Sequence, residues 1–269
     1  MTEPLAAAEA AVRANDPVAA LAHLTAAVKA APAKPALRIF MAQLLCVLGQ
    51  WQRAHTQLNV VADLQPDTGP MREMVGHALR CELVRAAVFD GRRPPMAFGE
   101  PDEWLALLIE STLQRAGNAA LADNLAARAF EAAPTTRGRF NGEPFEWIAD
   151  ADSRLGPVLE AMVNGRYYWI PFSRLSRISI DDTRDLRDRV WVPAALSFAN
   201  GGEAIAMIPT RYPGSEASAD GQILMASKTV WSEVGEGRYT GLGQRLLVTD
   251  KQEYDLLSAR LIELGDGAE

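Results

Sequence analysis

A 34-residue spacing of small residues and prolines recurs in the first half of the chain. In the first period, which starts at residue 1, the signature positions are held by Ala8, Ala20, Leu24, Ala27 and Pro32. In the second period these positions and the turn between them hold Ala42, Gly49, Trp51, Ala54, Leu58, Val61 and Pro66. Two periods later the match is looser, with Glu110 in a small-residue position followed by Gly117, Ala122, Ala129 and Pro134. The spacing predicts antiparallel helix pairs that approach closely at small residues and end at a proline.

This spacing resembles the tetratricopeptide repeat, in which Gly49 and Trp51 mark the turn inside a helix pair. The resemblance implies that the first helix of each pair lines a concave face, where an amphipathic partner helix can bury its apolar side. We expect partner binding at the groove-facing positions of the first two units, which are Leu5, Glu9, Val12, Ile39, Gln43 and Cys46. A second interpretation stays open, in which so short an array packs against the rest of the chain and its concave face is filled from within the molecule.

Helical periodicity continues to residue 133, and prolines stand where helices should start and end. The pattern predicts helices over residues 3–14, 17–30, 35–48, 51–64, 70–89, 103–115 and 119–132. The segment 91–101 contains Pro94, Pro95, Gly99 and Pro101, so it predicts a loop inserted into the array.

Beyond Pro134, alternation of apolar and polar residues replaces helical spacing. Asn164–Gly165 between two apolar runs is the strongest hairpin signal, because both residues tolerate positive φ. The turn sequences Asn-Gly-Gly at 200–202 and Gly-Glu-Gly at 235–237 predict two more hairpins. Asp250 and Glu253 form a capping-box pattern that predicts a last helix over 250–264. The expected fold is α+β in two domains. Tetratricopeptide-like helices form domain 1–134, and domain 135–269 combines a small antiparallel sheet, curled or barrel-like, with a C-terminal helix.

Composition narrows the classes of partner and the cell compartment. The net charge of −7 provides no long-range attraction to nucleic acid or to an anionic membrane, so neither is expected as a partner. Cys46 and Cys81 give no disulfide framework, which fits a reducing compartment. The N-terminus lacks the pattern of a secretory signal, and no uncharged apolar run is long enough to span a bilayer. We therefore expect a cytoplasmic protein.

Residue patterns suited to catalysis are scarce. The three histidines have no neighbours at the spacing of a metal site or a catalytic pair, and no nucleophile-elbow or phosphate-loop motif occurs. The acidic residues of segment 181–188 alternate with arginines, which is typical of a charged surface. We expect no catalytic residue, no metal and no cofactor. The alternative is a hydrolase or a sugar- or phosphate-binding enzyme that uses Asp150 and Asp152 in the C-terminal domain, with Arg211 and Tyr212.

Several motifs of the second half agree in order and spacing with those of one protein family. They are WIADADSRLGPVLE at 147–160, VNGRYYWIP at 163–171, RDLRD at 184–188 with WVPA at 191–194, IPTRYPGSE at 208–216, and YTGLGQR at 239–245 with Thr249 and Asp250. The sequence resembles the ImpE family, also called SciE or TagJ, of type VI secretion accessory proteins. The resemblance implies a cytoplasmic, non-enzymatic accessory that binds the small sheath subunit through a helix of that subunit. It also implies an influence on sheath disassembly by the ClpV ATPase.

Overall fold

Helices form the first half of the chain in the computed structural model, which describes residues 3–235 and 237–265. They are α1 (Glu3–Arg13), α2 (Pro17–Ala30), α3 (Pro35–Val47), α4 (Trp51–Leu64), α5 (Gly69–Phe89), α6 (Glu103–Gln114) and α7 (Ala119–Ala132). Each begins and ends within one residue of its predicted bounds. The prediction of tetratricopeptide-like helices is confirmed.

Local signals determine where these helices start. Pro17 is the first residue of α2, and the side chain of Asp16 accepts the backbone N–H of Ala19 at 2.9 Å. Asn118 acts in the same way before α7, where its side chain accepts the N–H of Leu121 at 3.1 Å. Such caps satisfy N–H groups that have no partner inside the helix. The helix bounds are therefore encoded in residues adjacent in sequence.

The pair α3–α4 shows why small residues recur in the array. Residues 48–50 join the two helices, so the helices run antiparallel and pack against each other. Ala42 and Ala54 are both buried in the hydrophobic core. Gly49 in the turn has φ +65°, and a Cβ there would lie 2.7 Å from the Cβ of Glu216. Small size at these positions permits both the helix contact and the approach of the second half of the chain.

We expect Ala54→Leu to lower the free energy of unfolding by about 1 to 3 kcal/mol, because a larger side chain overpacks a filled core. Ala127→Leu is the matched control, since Ala127 is an exposed alanine inside α7. Surface substitutions of this kind change stability by about 0.5 kcal/mol or less. Urea denaturation of the two variants measures the difference, and equal midpoints would contradict close packing at Ala54.

The second half of the chain is mainly antiparallel sheet. Including one short strand that precedes it, the strands are β1 (Met96–Ala97), β2 (Gly138–Phe140), β3 (Glu143–Phe145), β4 (Ile148–Asp150), β5 (Val158–Val163), β6 (Arg166–Pro171), β7 (Leu175–Ile180), β8 (Trp191–Phe198), β9 (Glu203–Pro209), β10 (Thr229–Gly235), β11 (Arg238–Gly243), β12 (Leu246–Thr249), β13 (Glu253–Asp255) and β14 (Leu261–Leu264). Within the described residues the largest sheet has the order β1-β6-β5-β9-β8-β7-β14-β2-β3, and β10-β11 and β13-β12-β4 form smaller sheets. A one-turn helix, α8 (Gly221–Leu224), precedes β10. The large sheet ends at β1 and at β3, so it is an open sheet and the barrel-like alternative is wrong.

The predicted hairpins are present. Asn164 and Gly165 join β5 to β6 with φ values of 49° and 72°, as a tight turn with two positive φ values requires. The turn at 199–202 joins β8 to β9, and β10 pairs with β11. Glu236, in the predicted third turn, lies outside the described residues.

The prediction of a C-terminal helix over 250–264 is wrong. This segment contains β13, a short 3-10 turn at 256–258 and β14, which pairs with both β7 and β2. Asp250 does not cap a helix and instead accepts the backbone N–H of Glu146 at 2.8 Å. Tyr254 stacks on Phe140 with ring centroids 3.9 Å apart. Strand pairing with distant segments therefore overrides the local helix signal.

The predicted loop at 91–101 is more ordered than expected. Its residues Met96 and Ala97 form β1, which pairs in parallel with β6, so a strand lies within the segment where we expected none. Phe98 next to it stacks on Phe198 of β8 at 4.3 Å. The insertion therefore extends the sheet of the second half.

The hydrophobic core consists of two clusters. One cluster contains helix residues together with Trp169 and Trp191 of the sheet, and the other comes from the second half of the chain. Trp51 at the start of α4 faces Trp191 with ring centroids 5.8 Å apart. The helices and part of the sheet thus share one of the two clusters, and the division at residue 134 stays a prediction.

Candidate functional site

The concave face of the second repeat unit is covered by the strap, which we define as residues 181–189 between β7 and β8. Gln43 Nε2 donates to Asp185 Oδ1 of the strap at 3.4 Å, and Leu186 of the strap packs against the core cluster that contains α3. Cys46 is 1% exposed, and burial raises the pKa of its thiol to about 12. Of the six predicted partner-binding residues, Gln43 is therefore bonded to the strap, and Cys46, three residues along α3, is closed off from solvent.

The other four predicted residues are half-buried. Leu5 and Val12 of α1 pack against the core that the helices share with the sheet. Glu9 lies on the same helix, and Ile39 lies on α3, one turn before Gln43. The structure does not place these four in one cavity with the two residues at the strap. Partner binding at all six positions stays a prediction.

An open apolar groove lies between α5 and the sheet. Its volume is about 360 Å³, and its lining residues are Pro70, Glu73, Met74, His77, Ala78, Met162, Asn164, Gly165, Pro193, Ile205, Ala206 and Met207. We call it the methionine groove, after Met74, Met162 and Met207. Ile205 at its rim is 73% exposed, which is unusual for a large apolar side chain. The groove offers an uncovered apolar surface with polar groups at its edge.

Extending the 34-residue register to a third unit reaches this groove. The third unit starts at Gly69, so the positions equivalent to Ile39 and Gln43 are Glu73 and His77. Both line the methionine groove. Arg80, the position equivalent to Cys46, lies instead in a separate pocket with Trp51 and His55, so two of the three equivalent positions reach the groove. Sequence reasoning missed these residues because the register was followed only through the units with clear signature residues.

The groove suits an apolar helix face better than a polar ligand. Methionine side chains are flexible and polarizable, so they adapt to different apolar shapes and are common on surfaces that bind helices. The groove wall includes the tight turn at Gly165, where a Cβ would lie 3.0 Å from the ring of His77. Glu73 supplies the one carboxylate of the lining. A partner helix with aliphatic anchors and a basic residue beside them matches this arrangement.

A buried network of charges connects α5 to the sheet below the groove. Arg85 of α5 donates to both oxygens of Glu160 in β5, at 2.7 and 3.0 Å, and Arg245 bonds to Glu160 and to Asp150. Burial disfavours the charged form of Glu160, but attraction to Arg85 and Arg245 outweighs it and lowers the pKa to about 2. Burial raises the pKa of Asp150 to about 6, against the attraction of Arg245. The network neutralises buried charges and fixes α5 against the sheet.

Sequence analysis missed Arg85, Glu160 and Arg245. A signal was present, because Glu160 stands inside the apolar run VLEAMV and its strand is buried throughout. A charged residue in such a run needs a buried partner of opposite charge.

The residues of the enzyme alternative hold the structure together. Asp152 accepts from Arg154 Nη2 at 2.6 Å and from the backbone N–H of Gly241 at 2.9 Å, and Asp150 is paired with Arg245. Arg211 donates to the carbonyls of Val47 and Leu224, at 2.7 and 2.6 Å. Tyr212 Oη accepts the N–H of Leu246 at 3.0 Å. These contacts give each side chain a structural role.

Two features are absent from the part of the chain that the structure describes. No group of three or more histidine, cysteine or acidic side chains there is arranged to hold a metal ion. Among the same residues, no helix combines the length and the apolar character needed to cross a bilayer.

Comparison with known proteins agrees with this architecture. The model of the ImpE protein family matches residues 142–263, and a tetratricopeptide repeat model matches residues 11–75. The crystal structure of a protein from Vibrio parahaemolyticus superposes with a TM-score of 0.86, covering 96% of this chain and 97% of that chain. The two sequences are 23% identical, so this likeness shows the fold.

A closer sequence relative is the type VI secretion system accessory component TagJ of Pseudomonas aeruginosa. The two sequences are 43% identical over 245 residues, which cover 91% of this chain and 86% of TagJ. The similarity thus includes both the helical repeats and the sheet. At this identity and coverage, the chain belongs to the ImpE family, together with that accessory component.

Proposed function

We propose that this protein is a non-enzymatic adaptor of the type VI secretion machine that holds a helix of the small sheath subunit. The observation that carries the proposal is the methionine groove, an open apolar cavity beside the exposed side chain of Ile205. An amphipathic helix that leaves water to bury its apolar face in such a groove gains about 25 cal/mol for each Å² of apolar surface removed from solvent. Binding a helix requires shape and apolar surface and no reactive group.

The accessory role of the family supports this assignment. TagJ, the relative from Pseudomonas aeruginosa, is a type VI secretion system accessory component. We propose that the present protein acts in the cytoplasm, and that capture of the subunit helix changes how the ClpV ATPase gains access to the sheath. In this proposal ClpV is an indirect partner. Leu5, Glu9, Val12 and Ile39 extend the binding face beyond the groove.

Charging the groove rim should separate binding from folding. Ile205→Asp is expected to weaken binding of the purified small sheath subunit at least tenfold, because the apolar face of the partner would meet an unpaired carboxylate. Ile205 is 73% exposed, so the fold should tolerate the change. Isothermal titration calorimetry with the intact subunit and with its isolated helices measures the affinity.

Val18→Asp is the matched control for this experiment. Val18 is a β-branched residue that is 65% exposed on α2, and it does not line the groove. The control variant should bind as tightly as the unmodified protein. Equal weakening by both substitutions, or no binding of the subunit to the unmodified protein, would contradict the adaptor function.

A further inference from the structure

The strap is longer than the connection it makes requires. β7 and β8 are hydrogen-bonded antiparallel neighbours, and Ile180 pairs with Ala194. Such neighbours are usually joined by loops of about two to five residues. Here residues 181–190 leave the sheet, reach α3 and return to β8. The added length places chain on the concave face of the second repeat unit.

The strap contacts α3 through one short helical turn with an apolar side chain, which resembles part of an apolar helical ligand. Residues Leu186–Arg189 form a 3-10 helix, and Leu186 packs against the core cluster shared with α3. Asp185 accepts the hydrogen bond from Gln43. The covered positions, Gln43 and Cys46, are those at which the repeat register predicts contact with a partner helix.

Most polar contacts of the strap are internal and can move with it. Asp188 Oδ2 accepts the backbone N–H groups of Arg184 and Asp185, both at 2.9 Å. Arg187 Nη2 lies 3.1 Å from the carboxylate of Asp185. Release from α3 would break the long bond to Gln43 and leave these internal bonds exposed to solvent, where a single 3-10 turn opens more often.

The C-terminal end of the strap is buried. Arg187 Nε and Asp188 Oδ1 form an ion pair at 3.5 Å there, and neither atom has a hydrogen bond. The end of the strap remains attached, because Thr210 Oγ1 donates to the carbonyl of Asp188 at 2.7 Å. The other end is attached as well, since Arg260 Nε donates to Asp182 Oδ1 at 2.8 Å. Between these two attachments, one long hydrogen bond from Gln43 and the packing of Leu186 hold the strap over α3.

We propose that the strap is an internal plug that competes with the partner helix for the concave face of the second unit. The inference rests on the proposed function. In the free protein the plug confines a partner to the methionine groove of the third unit. A longer helix displaces the plug and reaches Gln43 and Cys46, so the strap sets the affinity and the length of helix that can bind.

Hydrogen exchange of the full chain tests the plug without any substitution. Mass spectrometry would follow the amides of residues 181–188 with and without the purified small sheath subunit. We expect exchange in the strap to become at least fivefold faster in the complex, because the strap leaves α3. Unchanged or slower exchange in a complex that has formed would overturn the plug and leave the adaptor function standing.

A substitution that weakens the packing of the strap against α3 gives a second test of the plug. Leu186→Ser should bind the sheath subunit about five- to tenfold more tightly than the unmodified protein, because less competition remains. Leu257→Ser is the control, since Leu257 is also a half-buried leucine on a 3-10 turn but packs against the other core cluster. Unchanged or weaker binding by Leu186→Ser would overturn the plug. Absence of binding by every variant and by the unmodified chain would overturn the adaptor function as well.

Discussion

Arg245→Leu is expected to lower the free energy of unfolding by about 3 to 5 kcal/mol, the cost of leaving buried charges without their partner. Arg245 is fully buried and bonds to Asp150 and to Glu160. Without Arg245, both carboxylates remain in a low-dielectric interior. Arg85 still pairs with Glu160, but Asp150 loses its arginine partner. A domain stable by about 5 to 15 kcal/mol would lose a large share of its stability. Urea denaturation followed by circular dichroism measures the loss.

Two further variants define the cause of that loss. Arg260→Leu removes an exposed ion pair with Asp182 and should change stability by about 1 kcal/mol or less. Arg245→Lys keeps the charge but lacks the forked guanidinium that reaches two carboxylates, so its effect should fall between the others. If Arg245→Leu proved no more harmful than Arg260→Leu, the buried network would have no stabilising role.

Gly243→Ala should destabilise the protein by about 2 to 4 kcal/mol, because it combines backbone strain with overpacking. Gly243 has φ +94°, and a Cβ there would lie 1.9 Å from the carbonyl oxygen of Lys228. The backbone is held on both sides, since Gly243 accepts from the N–H of Tyr212 and donates to Ser215 Oγ. The clash cannot be relieved by turning a side chain.

Gly142→Ala separates the two contributions. Gly142 has φ +91°, but no atom lies within 4 Å of the position its Cβ would take. This variant should therefore lose only the conformational part, about 1 to 2 kcal/mol. Denaturation midpoints of the two alanine variants give the comparison. Equal losses would mean that crowding at Gly243 contributes nothing.

The helical half was predictable because its signals are local. Pro17 and the caps at Asp16 and Asn118 fix helix starts within a few residues of sequence. The C-terminal segment failed for the opposite reason. The capping-box residues are present in the sequence. However, the pairing of β14 with β7 and β2 buries Ile262 and Leu264. A local sequence pattern carries no information about strands that lie so far away in the chain. Tertiary burial then decides between helix and strand.

The candidate site was also predictable only in part, where its residues follow from the repeat spacing. The register locates the concave positions, and Glu73 and His77 follow from one further step of the frame. Which of these positions are open could not be read from the sequence, because the cover over Gln43 comes from the strap, 142 residues away in the chain. The alternation of charges in the strap indicated an exposed surface. Its single leucine, Leu186, packs against the core cluster that contains α3.

Two of the bonds between the second half of the chain and the helices fix the distance between α3 and α5. Arrays of this kind usually gain or lose units by duplication, because each unit contacts only its neighbours. Here the end of α3 is held through the carbonyl of Val47 by Arg211, and α5 is held through Arg85 by Glu160. A unit inserted between these anchors would move one of them out of reach of its partner. The spacing between α3 and α5 is therefore set by contacts with the second half of the chain as well as by the repeat itself.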